Sequence, residues 1–311
     1  MQIKAALKTG VVFSERKLIM TVQEMREMCT KGDALRDKDL TTPEDTVRFD
    51  DIVYGADPEW QVLDVYKPKA QKDEKLPVIV NIHGGGWVYG NKEVYQYYCL
   101  SLAQRGFAVV NFTYRLAPEN KFPAAVEDIN SVYAWIFENS EKYGLDTNNI
   151  FAVGDSAGGH YNSLYTAFAT NPEYQDKIGL KPPKDLKFRA VALNCGAYTP
   201  YCIDGKQDWA VDNTRPEGTD LKAFSELMTV PNFVTKDYPP VFIMTCSADF
   251  LKTQPLEMIP KFMQYDIEFV YRFYGDAENK LPHVFHCDIN RPEATVCNDD
   301  EIDFFKRHIV K

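Results

Sequence analysis

Two kinds of apolar pattern alternate along this chain. Val78-Ile79-Val80-Asn81-Ile82 and Ile150-Phe151-Ala152-Val153 are nearly unbroken apolar runs, the pattern of strands buried on both faces of a sheet. Phe107 to Thr113, Ala190 to Asn194, Val241 to Thr245 and Glu268 to Phe273 read as further strands. Val47 to Tyr54 and Val62 to Tyr66 read as a hairpin around Gly55-Ala56-Asp57-Pro58. Between the strands the period changes to that of a helix. Tyr95 to Arg105 is one helix, stopped at Gly106, and Pro123 opens another with Val126, Ile129, Tyr133 and Ile136 on its apolar face. Tyr161, Leu164, Tyr165 and Phe168 repeat at helical spacing after Val153, and Ile302, Phe305 and Ile309 mark a terminal helix.

Strands alternating with helices predict an α/β fold: a mainly parallel, twisted, eight-stranded sheet flanked by helices. Residues 1 to about 45 are polar and mostly helical in pattern, with Val22, Met25, Arg26 and Cys29 on one side of a candidate helix. They precede any strand and form an N-terminal extension. Tyr198 to Asp237 is rich in turn residues and charges, with a helical patch at Leu221 to Met228. It interrupts the alternation and reads as an inserted cap. Lys67 to Lys75 is a charged turn and not a linker, so a single domain is expected over residues 1–311.

Charge narrows the partners. With 35 Lys and Arg against 45 Asp and Glu, the net charge is −10. Nucleic acid and anionic membranes are disfavoured as partners. The seven cysteines (Cys29, Cys99, Cys195, Cys202, Cys246, Cys287, Cys297) are scattered, odd in number and without a C-x-x-C pair. They imply neither a disulfide framework nor a zinc site, and most read as small buried residues. Met1 to Lys17 lacks an apolar leader core, and no apolar run reaches membrane-spanning length. The expected location is cytoplasmic.

The chemistry centres on Gly154-Asp155-Ser156-Ala157-Gly158, which stands between a strand and a helix. In that setting G-x-S-x-G is a nucleophile elbow: a sharp turn that raises the Ser156 hydroxyl at the end of a sheet. A second motif, His83-Gly84-Gly85-Gly86-Trp87, directly follows the strand ending at Ile82. Bare glycine backbone can turn its N–H groups toward a developing oxyanion. Gly85 and Gly86, with Ala157 after the nucleophile, are the expected donors. A phosphate cradle is the rival reading, but it calls for G-x-G-x-x-G opening a helix or a Lys after the glycines, and neither is present. His83 reads as an orienting residue that bonds nearby backbone.

These motifs, with Tyr114-Arg115-Leu116-Ala117-Pro118-Glu119 and Phe122-Pro123-Ala124-Ala125-Val126-Glu127-Asp128, resemble the hormone-sensitive-lipase-like carboxylesterases of the α/β-hydrolase fold. The likeness is dense over residues 77 to 160 and thin elsewhere. It implies a serine esterase with a small cap built from the N-terminal segment (1–45) and the insertion (198–237).

A Ser hydroxyl needs a base, and the base needs an orienting carboxylate. In this fold the chain order is Ser, acid, His. His160 comes too early and reads as a packing residue; His308 sits in a Lys/Arg-rich last turn, where solvation is expected. Pro282-His283-Val284-Phe285-His286 lies where the base belongs. The family's His-Gly-Phe matches at His283 except for Val284, so His283 is preferred, with His286 the alternative. Two histidines three apart could also pair on a metal, but no third ligand accompanies them. Asp249, after the strand ending at Thr245, is the expected acid; Phe250 stands where the family usually has Pro. Asp276 and Glu278 read as solvated loop charges. Glu119 and Asp128 read as structural, paired with Arg115 or with helix N–H groups. Of the aromatic and Met residues of the insertion, Trp209, Phe224, Met228 and Phe233 read mainly as cap core, with some of them expected to line the acyl site.

The expected function is hydrolysis of small-molecule esters by a Ser156–His283–Asp249 triad, with no cofactor and no metal. The resemblance implies short acyl chains, and relatives with Gly-Gly-His after the Ser act on acetylated or feruloylated sugars. It also implies a homodimer, although no stretch reads as an interface strand. An amidase, peptidase or aryl formamidase would use the same residues. A non-catalytic binding protein of this fold would have lost part of the triad, and here each candidate is present.

Overall fold

The computed structural model describes residues 20–201 and 209–311. Residues 1–19 of the N-terminal extension, residues 202–208 of the insertion, Cys202 and the side chains of Trp209 and Ala210 lie outside that description.

The chain begins with α1 (Val22–Arg36), the hairpin β1 (Thr46–Val53) and β2 (Val62–Pro68), β3 (Leu76–Ile82), α2 (Lys92–Ala103) and β4 (Ala108–Phe112). It continues with α3 (Ala124–Tyr143), β5 (Leu145–Asp155), α4 (Ala157–Thr170), α5 (Pro172–Ile178) and β6 (Phe188–Asn194). Two short helices follow in the insertion, α6 (Trp209–Asp212) and α7 (Leu221–Met228). The last elements are β7 (Val241–Cys246), α8 (Pro255–Gln264), β8 (Phe269–Tyr274) and α9 (Pro292–Arg307).

The strands form one eight-stranded sheet in the order β1-β2-β4-β3-β5-β6-β7-β8. β1 with β2 and β2 with β4 are antiparallel, and every other pair is parallel. The continuous apolar runs have the expected consequence, because side chains alternate across a strand. Val78, Val80, Ile82, Ile150 and Ala152 enter one core layer with α3, α4 and α8. Ile79, Phe151 and Val153 enter the other with α2 and α9.

Several boundaries move for local reasons. α2 starts at Lys92, three residues before the expected Tyr95, because the Asn91 side chain accepts from the Val94 N–H at 3.0 Å and caps the helix there. Pro123 is the residue before the first turn of α3 and not its first helical residue. α5 and α8 are absent from the sequence reading.

The charged turn stands at residues 69–75, but Lys67 is not part of it. Lys67 belongs to β2 and is fully buried, with Nζ donating to the carbonyls of Lys72 (2.9 Å), Glu74 (2.7 Å) and Tyr143 (3.0 Å). Those carbonyls take the place of water around the cation. Asp128 does pair with Arg115, at 2.8 Å. Glu119 does not: its partner is Arg26 of α1, at 2.7 Å. No helix among the described residues is long and apolar enough to cross a membrane.

Candidate active site

The parallel strands end together along one edge of the sheet, and the site is built there. β5 runs to Asp155, still paired with Asn194 of β6. Ser156 then takes φ 55°, ψ −121° before α4 begins at Ala157. Positive φ is strained for a side chain with a Cβ. The turn is held on both sides: the Ser156 N–H donates to Asn194 O at 3.1 Å, and its carbonyl accepts from the His160 N–H at 3.0 Å. Close packing explains Gly158, since a Cβ there would meet the carbonyls of Ile82 and His83 at the end of β3. The Ser156 hydroxyl faces a cavity of about 480 Å³ and has no hydrogen-bond partner among the described residues.

The acid and base candidates come from neighbouring loops. A bridge between Ala248 and Pro282 ties the loop after β7 to the loop after β8. Across it, His283 Nδ1 donates to Asp249 Oδ1 at 2.6 Å. Asp249 also accepts from the Leu251 N–H (2.8 Å) and the Thr245 hydroxyl (2.8 Å). Burial pushes its carboxyl upward, but the hydrogen bond and charge of His283, with those two donors, outweigh this and hold it below the usual carboxylate range. With Nδ1–H committed to Asp249, Nε2 of His283 is left as the accepting nitrogen on the cavity side.

The other histidines are elsewhere. His286 is fully buried beside Tyr98, with Nε2 3.5 Å from Cys287 Sγ, and does not line the cavity. His160 accepts from Trp87 Nε1 at Nδ1 (3.1 Å) and donates from Nε2 to Met228 O (2.9 Å). It therefore joins the glycine-rich loop to α7. His308 is partly buried, bonded to Phe304 O at 2.9 Å, and not simply solvated. Asp276 is an exposed loop carboxylate that accepts from the N–H groups of Glu278 and Asn279.

The loop Gly84–Trp87 crosses the opposite wall. Gly85 and Gly86 have φ of 120° and 58° and both line the cavity. Their N–H groups have no hydrogen-bond partner among the described residues. His83 stacks on Tyr114 with centroids 4.1 Å apart, and its Nδ1 donates to Gly84 O at 2.8 Å.

Sequence reasoning missed Tyr95 and Asp155. The Gly84 N–H donates to the Tyr95 hydroxyl (2.9 Å), which donates to Asp155 Oδ2 (2.8 Å). This chain fixes the glycine loop against the residue before Ser156. Burial raises the Asp155 carboxyl to about 6, against the opposing pull of Tyr95 and His283. The position of Asp155 inside the G-x-S-x-G motif was the available signal; Tyr95, 60 residues away, gave none. Tyr95→Phe removes the hydroxyl that holds Gly84. The expected result is a fall in kcat of about tenfold with little change in KM, measured on a chromogenic butyrate ester. An unchanged kcat would mean that the loop keeps its shape without Tyr95.

The cavity roof, among the described residues, is α1. Met25, Met28, Cys29, Asp33 and Arg36 line it, facing Phe250 and Leu251. α1 buries no residue fully and is docked by polar contacts. Arg26 Nε donates to Val88 O at 2.8 Å, the Tyr89 hydroxyl donates to Asp33 at 2.8 Å, and Arg36 Nη2 donates to Val94 O at 2.6 Å. Phe224, Met228 and Phe233 of the insertion are core residues, and none of the described residues of 198–237 lines the cavity.

The buried titratable groups make stability depend on pH. Burial lowers His83 and His160 to about 4 and His286 to about 3. An unfolded chain takes up these protons first, so their contribution is lost as pH falls below the unfolded value near 6.5. Asp155, at about 6, and Glu301, raised by burial to about 7, act in the opposite sense. Three imidazoles oppose two carboxyls between pH 7 and 5, so stability is expected to fall toward pH 5, with the carboxyls offsetting part of the loss. Urea midpoints at the two pH values check this; a midpoint that rises toward pH 5 would contradict it.

An eight-stranded, mostly parallel sheet with a serine on a strand–helix elbow and a histidine–carboxylate pair on the last two loops defines an α/β-hydrolase. More narrowly, the chain belongs to the BD-FAE family, which it matches over residues 63–254. It is 34% identical over 192 residues to Esterase LipC of Mycobacterium tuberculosis, covering 61% of this chain and 44% of that protein. The alignment thus spans under half the length of that relative. It is 26% identical over 248 residues to the versiconal hemiacetal acetate esterase of Dothistroma septosporum, covering 75% and 73%. Among solved structures it resembles esterase B of Lactobacillus rhamnosis inhibited by a tributyrin phosphonate, with a TM-score of 0.83 at 26% identity over 92% of this chain and 94% of that one.

Proposed function

We propose that this chain is a serine carboxylesterase acting on small esters with short acyl groups. Ser156 attacks the ester carbonyl as His283 Nε2 takes its proton. Asp249 holds the imidazole and offsets the imidazolium charge. The N–H groups of Gly85, Gly86 and Ala157 bind the oxyanion, and His283 returns the proton to the leaving alcohol. Water, activated by His283, then releases the acid from the acyl-enzyme. α1 acts as the cap over the cavity, and the insertion packs behind it on His160. The observation that carries this reading is the 2.6 Å His283–Asp249 bond on the wall of the cavity that the unpaired Ser156 hydroxyl faces. Ser156 and His283 make no direct hydrogen bond; such contacts often tighten only with substrate bound.

The short-acyl preference draws support from the size of the cavity, about 480 Å³, shared between acyl and alcohol groups. Acetylated or feruloylated sugars are the proposed natural class. A series of p-nitrophenyl esters tests the preference: kcat/KM is expected to be highest for acetate and butyrate and to fall by at least about tenfold at laurate. Best activity on long-chain emulsions would overturn it. Matched anilides separate this reading from an amidase, which would hydrolyse them at comparable rates.

A further inference from the structure

Beneath Asp249 the sheet brings together two thiols that the proposed reaction does not use. Cys195 follows β6 and Cys246 ends β7, the adjacent parallel strand, and the Cys195 N–H donates to Met244 O at 2.9 Å. The two Sγ atoms and an Asp249 carboxylate oxygen all lie within 4.8 Å of one another, and all three residues are buried. Met244 Sδ is 3.8 Å from Cys195 Sγ. Met244 and Cys246 are two apart on β7 and so share a face. We propose that Cys195, Cys246 and Asp249 form a site for a thiophilic divalent cation, zinc or cadmium, whose binding draws Asp249 away from His283.

The donor set decides the class of ion. Two thiolates, a carboxylate and a nearby thioether suit zinc and softer ions, whereas magnesium and calcium need an all-oxygen shell. Metal–sulfur bonds of about 2.3 Å at a tetrahedral angle put the sulfurs about 3.8 Å apart, so an inward shift of about 1 Å or less is enough. What the thiols would give up is weak: Cys246 donates to Pro282 O at 3.2 Å, and Cys195 has Met244 Sδ at 3.8 Å with the Cys246 thiol and the Val284 backbone as its other neighbours. Binding balances as M²⁺ plus two thiols giving the dithiolate complex plus two protons, which cancels the charge of the ion in the interior. The cluster lies close behind the catalytic cavity, whose wall includes Ala197 and Leu251, each two residues from a ligand.

The inhibitory consequence rests on the triad reading; the binding does not. Coordination pulls the Asp249 carboxylate and its negative charge toward the ion, which weakens it as the acceptor that His283 Nδ1–H uses at 2.6 Å. Asp155, His286 and Cys287 form a second buried set of compatible donors and serve as the control.

The experiment titrates the full-length protein with cadmium ion, following the ultraviolet thiolate–cadmium absorption and butyrate ester hydrolysis together. Wild type and Cys287→Ala are expected to take up one equivalent and lose activity by at least about tenfold, reversibly with chelator. Cys195→Ala/Cys246→Ala is expected to be active and to show neither effect. Should the double variant fail to fold, Cys195→Ser and Cys246→Ser alone should each weaken uptake by at least about tenfold. Equal uptake and inhibition in the double variant, or no uptake by wild type, overturns the site. Uptake lost in the double variant but harmless in wild type overturns the coupling to Asp249. Failure of the triad reading is seen separately, as full metal-free activity in Asp249→Asn.

Discussion

Replacing Ser156 with alanine is expected to lower the rate of p-nitrophenyl butyrate hydrolysis by about 10⁴–10⁶-fold while leaving the protein folded. Its hydroxyl bonds to no described side chain, so nothing in the packing depends on it. The backbone bonds to Asn194 and His160 that hold the elbow survive the change. His283→Ala should lose a comparable factor, because residues that act as one unit do not contribute additively. His286→Ala separates the two candidates for the base. That side chain is buried behind the site against Tyr98, so its loss should lower the melting temperature and leave most of kcat. Activity that survives His283→Ala but not His286→Ala would move the base three residues along.

The second large effect is expected at Asp249. Asp249→Asn keeps the shape but replaces an anion with a neutral amide that both donates and accepts. The His283 imidazole then loses the partner that fixes Nδ1–H, and Nε2 is no longer reliably the accepting nitrogen. A fall in kcat of about 10⁴-fold is expected, with KM changed little, since the carboxylate acts on the imidazole and not on the bound ester. A fall of less than about tenfold would mean that something else orients His283. The effect should persist across the neutral range, because wild-type Asp249 is held below the usual carboxylate range and stays ionised there.

Much of this architecture is written locally. Each strand core and the G-x-S-x-G turn depend on neighbours within a few residues, so apolar runs and glycine spacing reveal them. The His283–Asp249 pair spans 34 residues, but chain order in the fold narrows it to few candidates. What stayed hidden are partnerships with no local signature. Arg26 meets Glu119 across 93 positions, and Lys67 meets Tyr143 O across 76. Nothing beside Lys67 says that three carbonyls wait for its ammonium, so it reads as surface charge. α8 escaped because Pro255 and Pro260 punctuate it, and α5 because seven residues are too few for a period to show. Val284 is legible only afterwards: it occupies the left-handed region, φ 54° and ψ 31°, which explains why glycine is usual at that place.

The polar docking of α1 bears on how substrate enters. A helix with no fully buried residue, held by Arg26, Asp33 and Arg36, depends on hydrogen bonds and ion pairs more than on apolar burial. Two of those contacts fall on Val88 and Tyr89, directly after the glycine loop. The roof and the proposed oxyanion donors of the glycine loop are therefore joined through Val88 and Tyr89.

The most direct test of the central claim is to locate the nucleophile chemically. The protein is inactivated with a p-nitrophenyl alkyl phosphonate, and the adduct is mapped by peptide mass spectrometry. The account predicts one phosphonyl group per chain, on Ser156, with activity lost in proportion to labelling and no adduct in Ser156→Ala. Labelling at another residue that tracks the loss of activity, or full activity after Ser156 is labelled, would contradict it.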